Sequence, residues 1–450
     1  SILAEDLISS CIERVNQTNN KINAIVDDLS ASALEKAHEL DKLTKKGKFK
    51  GPLHGVPITI KENIDQKGYA TPNGLEALKN LIAPGNAPVV DNLEKDGAIV
   101  IGRTNTPEFS MRGTTDNVIH GRTYNPWNDW ASPGGSSGGA SAAVMSGMGS
   151  LAHGNDIAGS LRIPSTATGA CTVKPGLGRV PAFNPSQTQE RGLVAQLMSV
   201  QGIIAREIKD VRLGMQSLIN YDPRDPWMVE MPFESKSVTS PIKIGYTKET
   251  LGEVLHPAVD KALENAIEAL KDAGYILEEI VLPEFQDATN YSAKTLFGEL
   301  KALHEKDYKK LGSKNFNLVA DNYSQIISPF EGEDLLLGMA KRSYFFREWN
   351  LFFRKYPLVL TPFLLYPTYE WDRDIQGLEG TKEVLAGMFY AHTMNYMGIP
   401  AGVVSANYND GLPVGVQIIS SRFCEDIILK ACEEIEKRVG IMAEKLFARG

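Results

Sequence analysis

The chain reads as an α/β protein built on a parallel or mixed sheet with helices on both faces, and three observations carry that reading. A short apolar strand at 56–61, a helix around 88–96 and a buried strand at Ala98-Ile99-Val100-Ile101-Gly102 form a β-α-β run. The alternation resumes with a strand at 200–205 before a helix at 207–219, and again with a strand at 242–246 before an amphipathic helix at 257–273. Strands at 402–405 and 414–420, followed by a helix at 425–437, complete the sheet. At 450 residues the chain can bury a large core, and length by itself suggests two or three domains.

Taken in order, residues 3–16 and 30–45 have the apolar spacing of amphipathic helices. The strand at 56–61 ends in Lys61, and a lysine at the end of a buried strand ordinarily snorkels to the surface. The polar loop 111–117 either lines the acyl side of a pocket or is a surface turn. Segment 181–192 is turn-rich and polar, as a pocket-edge loop would be, and 221–240 opens as a linker-like loop. A long helix at 331–356 carries Tyr344, Phe345, Phe346, Trp349, Phe352 and Phe353, a stripe expected in a core rather than on a substrate platform. Met388, Tyr390, Met394, Tyr396 and Met397 fit either role.

The stretch 130–162 stands apart. Four glycines surround two serines at Gly134-Gly135-Ser136-Ser137-Gly138-Gly139, a small-residue helix over Ala140–Met145 follows with Ser136 or Ser137 as its cap, and a strand at 150–156 leads into Gly159-Ser160. Glycine admits backbone conformations closed to other residues, and successive amides in such a turn can converge on an oxyanion. A flexible Gly/Ser linker is disfavoured because linkers do not run into packed elements. A G-x-S-x-G nucleophile elbow fits the letters but lacks the strand that must precede the serine, since 124–130 is loop-like. A third reading needs a base that is not histidine, and Lys61 is the candidate.

Composition narrows the field. Hydrophobic content of 42% and charged content of 23% are those of a globular protein, and a net charge of −8 gives no footprint for nucleic acid. No apolar run reaches the roughly 18 residues that span a bilayer. The start of the chain lacks a basic region followed by an apolar core, so no signal peptide is expected, and opening on Ser1 leaves room for a preceding segment. Cys11, Cys171, Cys424 and Cys432 form no C-x-x-C pair, so a reduced cytoplasm is the expected compartment. No histidine or cysteine spacing implies a metal, and no dinucleotide or P-loop fingerprint follows a strand, so no cofactor is expected.

The ordered set Gly55-Val56-Pro57-x-x-x-Lys61, Gly102-Arg103-Thr104-Asn105-Thr106-Pro107-Glu108-Phe109, Asn125-Pro126-Trp127, the Gly/Ser core, Val173-Lys174-Pro175 and Gly411-Leu412-Pro413-Val414-Gly415-Val416-Gln417 resembles the amidase signature family of serine hydrolases over nearly the whole chain. The resemblance implies one large domain over 1–450, with core motifs at 55–210 and 400–437 and a variable substrate-channel region at about 285–397. It implies a Ser-Ser-Lys triad: Ser160 as nucleophile, Ser136 as bridging serine on a cis Gly135-Ser136 peptide, and Lys61 as base, the two serines 24 positions apart. Ser137, Asp156 and Arg162 stand as supporting or substrate-binding residues, Arg162 being either structural or a partner for a substrate carboxylate. The N-terminal helices often help to make a dimer in the family, which offers a homodimer as one assembly.

Lysine serves as a base only when neutral, and burial lowers its pKa. Lys61 would take the Ser160 proton through Ser136 and return it to the leaving amine, while the amides of Ile157, Ala158, Gly159 and Ser160 hold the oxyanion. The expected substrate is a small or medium-sized, apolar carboxamide. This chain departs from the family at Asn155 and Ala158 of the nucleophile turn, where threonine and glycine are usual, and at Glu62 and Gly176. The Asn-Asp-x-Ala-Gly-Ser turn is similar to that of the branch of 6-aminohexanoate cyclic dimer hydrolases. The rival is the glutamine-hydrolysing subunit of a tRNA-dependent amidotransferase, and the variant turn leans toward a free-standing amidase.

Overall fold

The computed structural model describes residues 2–235 and 241–449, so the end of the linker-like loop, 236–240, lies outside the described residues. Eleven strands form one sheet: β1 (Ile25–Asp28), β2 (Pro57–Lys61), β3 (Ile99–Thr104), β4 (Leu151–Asp156), β5 (Cys171–Lys174), β6 (Val200–Ala205), β7 (Lys243–Tyr246), β8 (Ile276–Glu279), β9 (Leu358–Pro362), β10 (Ala401–Asn409) and β11 (Leu412–Ser420). Their spatial order is β1-β3-β2-β4-β6-β5-β10-β11-β9-β7-β8. Pairing is parallel among β3, β2 and β4 and among β9, β7 and β8, and antiparallel through β4, β6, β5, β10, β11 and β9. The mixed sheet expected from the sequence is therefore the architecture, within a single large α/β domain.

Strands buried on both sides read as near-continuous apolar runs because helices cover each face. Val100 points into a core shared with Pro88–Lys95 and Ile208–Leu218, whereas its neighbours Ile99 and Ile101 pack against the N-terminal helices Ala4–Ile22 and Ser30–Thr44. Farther along the sheet, helices Pro257–Asp272 and Glu425–Val439 join the first core, while Phe285–Leu311, Gly332–Phe353 and Phe389–Met397 cover the opposite face with a second.

The first helix runs to Ile22, beyond the expected residue 16, and stops where Asn23 turns left-handed at φ 52°. Periodicity does not separate strands β1, β5, β8 and β9 or the helices Phe285–Leu311 and Lys314–Ile327. Short strands such as these carry too few residues to show a period, and β9 sits inside the long apolar run 356–366. In the aromatic helix, Phe345, Trp349 and Phe353 are buried and the other three aromatics are partly buried against the same core. Met388, Tyr390, Met394, Tyr396 and Met397 are buried there too.

Candidate active site

Three chain segments meet at the carboxyl ends of β2 and β4. Strand β2 lies between β3 and β4, and its last residue, Lys61, is fully buried. The lysine does not snorkel. Its Nζ lies 2.6 Å from Ser136 Oγ, 3.1 Å from Ser137 Oγ and 2.9 Å from Asn155 Oδ1. Burial lowers its pKa from 10.5 to about 7, against the opposing pull of Asp156 and Glu62.

The serine turn precedes the helix Gly138–Met145, and its Gly135-Ser136 peptide is cis. A Cβ at Gly135 would lie 2.4 Å from the carbonyl oxygen of Arg112, so only glycine fits there. Thr115 Oγ1 donates to Gly134 O at 2.9 Å and accepts from Gly138 N at 3.1 Å, pinning the turn. Ser137 occupies the N-cap position, yet its hydroxyl makes no capping bond. That hydroxyl is turned instead toward Lys61 and the backbone oxygen of Asn155, which corrects the cap expected from the sequence.

Strand β4 ends at Asp156 and the chain reverses through Ile157-Ala158-Gly159-Ser160, with Gly159 at φ 117°. Asp156 organises the turn by accepting from Gly159 N at 2.7 Å and Leu161 N at 3.2 Å. Burial alone would raise the Asp156 pKa, but the Arg162 guanidinium, with Lys174 and the Gly159 amide, holds it below the usual carboxylate value. The Gly159 amide is therefore committed to Asp156 and is not free for an oxyanion, unlike the expectation for all four residues. The amides of Ile157, Ala158 and Ser160 have no hydrogen-bond partner among the described residues.

Arg162 is fully buried and donates to Asp156 at 3.0 Å, Gln417 Oε1 at 2.8 Å, Ala391 O at 2.9 Å and Asn395 Oδ1 at 2.5 Å. Its guanidinium is thus engaged by protein groups from β4, β11 and the helix Phe389–Met397.

Ser136 and Ser160 open on one cavity of about 250 Å³, walled by Asn155, Ile157, Phe109 and Tyr308 among others. Their hydroxyls are not hydrogen-bonded to each other. The two turns are tied by the Ser137 N–H donating to Ser160 O at 3.2 Å. Of the loop 111–117, only Met111 reaches the cavity, because the hydroxyls of Thr114 and Thr115 are spent on Ser132 and Gly134. The loop 181–192 does edge the cavity, through Phe183, Asn184, Gln187 and Arg191.

Sequence reasoning misses the contact between Asn155 and Lys61, although the asparagine stands out as a departure in the nucleophile turn. Glu62, another departure, accepts from Gly74 N at 3.1 Å and lies 3.0 Å from His120 Nε2. Gln417 lies within the Gly411–Gln417 motif, and its contact with Arg162 spans 255 residues, beyond the reach of local patterning.

A family model described as Amidase matches residues 6–429. The chain belongs to the amidase signature family. An indoleacetamide hydrolase of Bradyrhizobium diazoefficiens is 42% identical to this amidase over 448 residues, 99% of this chain and 86% of the relative. One component of the glutamyl-tRNA(Gln) amidotransferase of Methanosarcina mazei is 30% identical over 465 residues, 96% of this chain and 93% of the relative. Among solved structures, a 6-aminohexanoate cyclic dimer hydrolase complexed with substrate superposes with a TM-score of 0.82 at 22% identity, covering 97% of this chain and 94% of that one. This likeness shows the shared fold. The amidase is thus an amidohydrolase, an enzyme acting on amides.

Proposed function

We propose that this amidase hydrolyses the carboxamide of a small aryl-bearing acid, such as an arylacetamide, through an acyl-enzyme on Ser160. The substrate class follows from the relative named for indoleacetamide and from a cavity whose walls mix the rings of Phe109, Phe183 and Tyr308 with polar groups. Lys61, uncharged, receives a proton from Ser136 as Ser136 receives one from Ser160. Ser160 Oγ then bonds to the amide carbon, and the carbonyl electrons move onto an oxyanion facing the free amides of the 157–160 turn. The proton returns along the same path to the nitrogen, the C–N bond breaks, and ammonia or an amine leaves. Water adds to the ester by the reverse relay, releasing the carboxylic acid and restoring Ser160.

The observation that carries this reading is the 2.6 Å contact between a fully buried lysine and a serine that shares a cavity with Ser160. The test is a fluorophosphonate label followed by peptide mapping, run beside a panel of aryl, aliphatic and cyclic amides. Label on Ser160 and turnover of aryl amides are expected. Label elsewhere would overturn the nucleophile, and preference for aliphatic or cyclic amides would overturn the substrate class.

The 30% relative favours a second reading, a glutamine-hydrolysing component of a larger complex. It predicts glutaminase activity that appears only when partner proteins are added. The higher identity to the indoleacetamide hydrolase weighs against it.

A further inference from the structure

Three acceptors surround the Lys61 amine, but a neutral amine has only two N–H groups and one lone pair. Which neighbour meets the lone pair decides whether the amine can act on Ser136. Asn155 Oδ1, 2.9 Å away, can only accept. Ser137 Oγ, 3.1 Å away, has the backbone oxygen of Asn155, which can only accept, at 3.4 Å for its own hydrogen, so it too is assigned as an acceptor from the lysine. Both N–H groups are thereby used. The lone pair is left facing Ser136 Oγ, the closest of the three at 2.6 Å.

The assignment holds only if the Asn155 side chain keeps its oxygen toward the lysine. Its Nδ2 donates to Asn63 Oδ1 at 2.9 Å, and Asn63 Nδ2 approaches Asn155 Oδ1 at 3.3 Å, a reciprocal amide pair. Asn63 is held in turn: its Nδ2 donates to Ser110 Oγ at 2.9 Å, and that hydroxyl donates to Asn73 Oδ1 at 2.6 Å. If Asn155 turned over, an NH2 group would face the amine and an oxygen would face Asn63 Oδ1, so both contacts would be lost.

We propose that Asn155, locked by Asn63, is a positioning residue that aims the lone pair of Lys61 at Ser136. The proposal rests on the reading of Lys61 as the base. The charged groups acting on the amine are Asp156, from β4, and Glu62, which follows β2. His153, also on β4, is held neutral by burial at about 3, and β3 sets Thr104 beside Lys61 in register.

The experiment measures kcat, KM and the pH profile of kcat/KM for Asn155→Ala, Asn155→Asp, Asn155→Thr, Asn63→Ala and the double variant N155A/N63A. Asn155→Ala is expected to lower kcat about 10- to 100-fold with KM within about twofold, a share of the range for a general base. Asn155→Asp sets a carboxylate beside the amine and should move the acid limb to higher pH by about one unit or more. Asn155→Thr restores an acceptor and should recover part of kcat. The double variant should be no slower than the slower single one, since both act on one contact.

Wild-type kcat and an unmoved acid limb in the Asn155 variants would overturn the proposal. So would a loss of thermal stability with no change in kcat or the limb. Should Asn155→Ala fail to fold, Asn155→Thr and Asn63→Ala carry the same comparison. Failure of the underlying reading looks different: Lys61→Ala would retain turnover.

Discussion

At the residue scale, one amine decides the pH behaviour expected of the enzyme. The proposed mechanism needs Lys61 uncharged, and burial brings its pKa to about 7. Activity should therefore be low where the amine is protonated, rise with pH through about 7 and level off above it. A profile of kcat/KM against pH from about 5 to about 10 checks this, and a rate falling across that window would refute it. Ser136→Ala should cost about 100-fold or more in kcat, because the relay hydroxyl is the group Lys61 touches at 2.6 Å. A near-normal rate would mean that the proton passes directly or through water. Lys61, Ser136 and Ser160 are legible in the sequence because the spaced motifs survive in one dimension. Asn155 is visible there only as a departure, since its partner Asn63 lies 92 residues away and nothing local pairs them.

At the element scale, the turn after β4 is built by a buried ion pair. Asp156 takes two backbone amides and the Arg162 guanidinium, and Arg162 reaches Gln417 on β11 and Asn395 in the helix Phe389–Met397. Removing one member of such a pair leaves the other buried and uncompensated. Arg162→Met should thus lower stability by about 3–5 kcal/mol and lower kcat with it, read by thermal unfolding and steady-state kinetics. Loss of kcat with unchanged unfolding would instead assign Arg162 to the substrate. The sequence leaves that choice open because an arginine two residues past a nucleophile looks the same in either role. Besides Asp156 six residues away, its partners come from two distant elements, β11 and the helix Phe389–Met397. The commitment of the Gly159 amide is likewise hidden, since only coordinates reveal which amides of a turn a carboxylate has claimed.

Across the whole molecule, the aromatic helix Gly332–Phe353 serves the core and not the cavity. Trp349 is fully buried, its Nε1 donates to Pro283 O at 3.0 Å, and its ring packs near Phe285 and Phe353. Trp349→Phe should lower stability by about 1–3 kcal/mol while KM for an aryl amide stays within about twofold of wild type. A large change in KM would place the helix at the substrate after all. The mixed sheet is legible from alternating strand and helix patterns, but its strand order is not, because neighbours such as β5 and β10 are separated by more than two hundred residues.

That order bears on synthesis. The hairpin of β10 and β11 is made late, yet it sits in the interior of the sheet between β5 and β9, and Gln417 on it braces Arg162 beside the nucleophile turn. A ribosome that has already delivered Lys61, Ser136 and Ser160 still lacks two interior strands of the sheet, and the set of contacts that holds Arg162 can close only once Gln417 has been made.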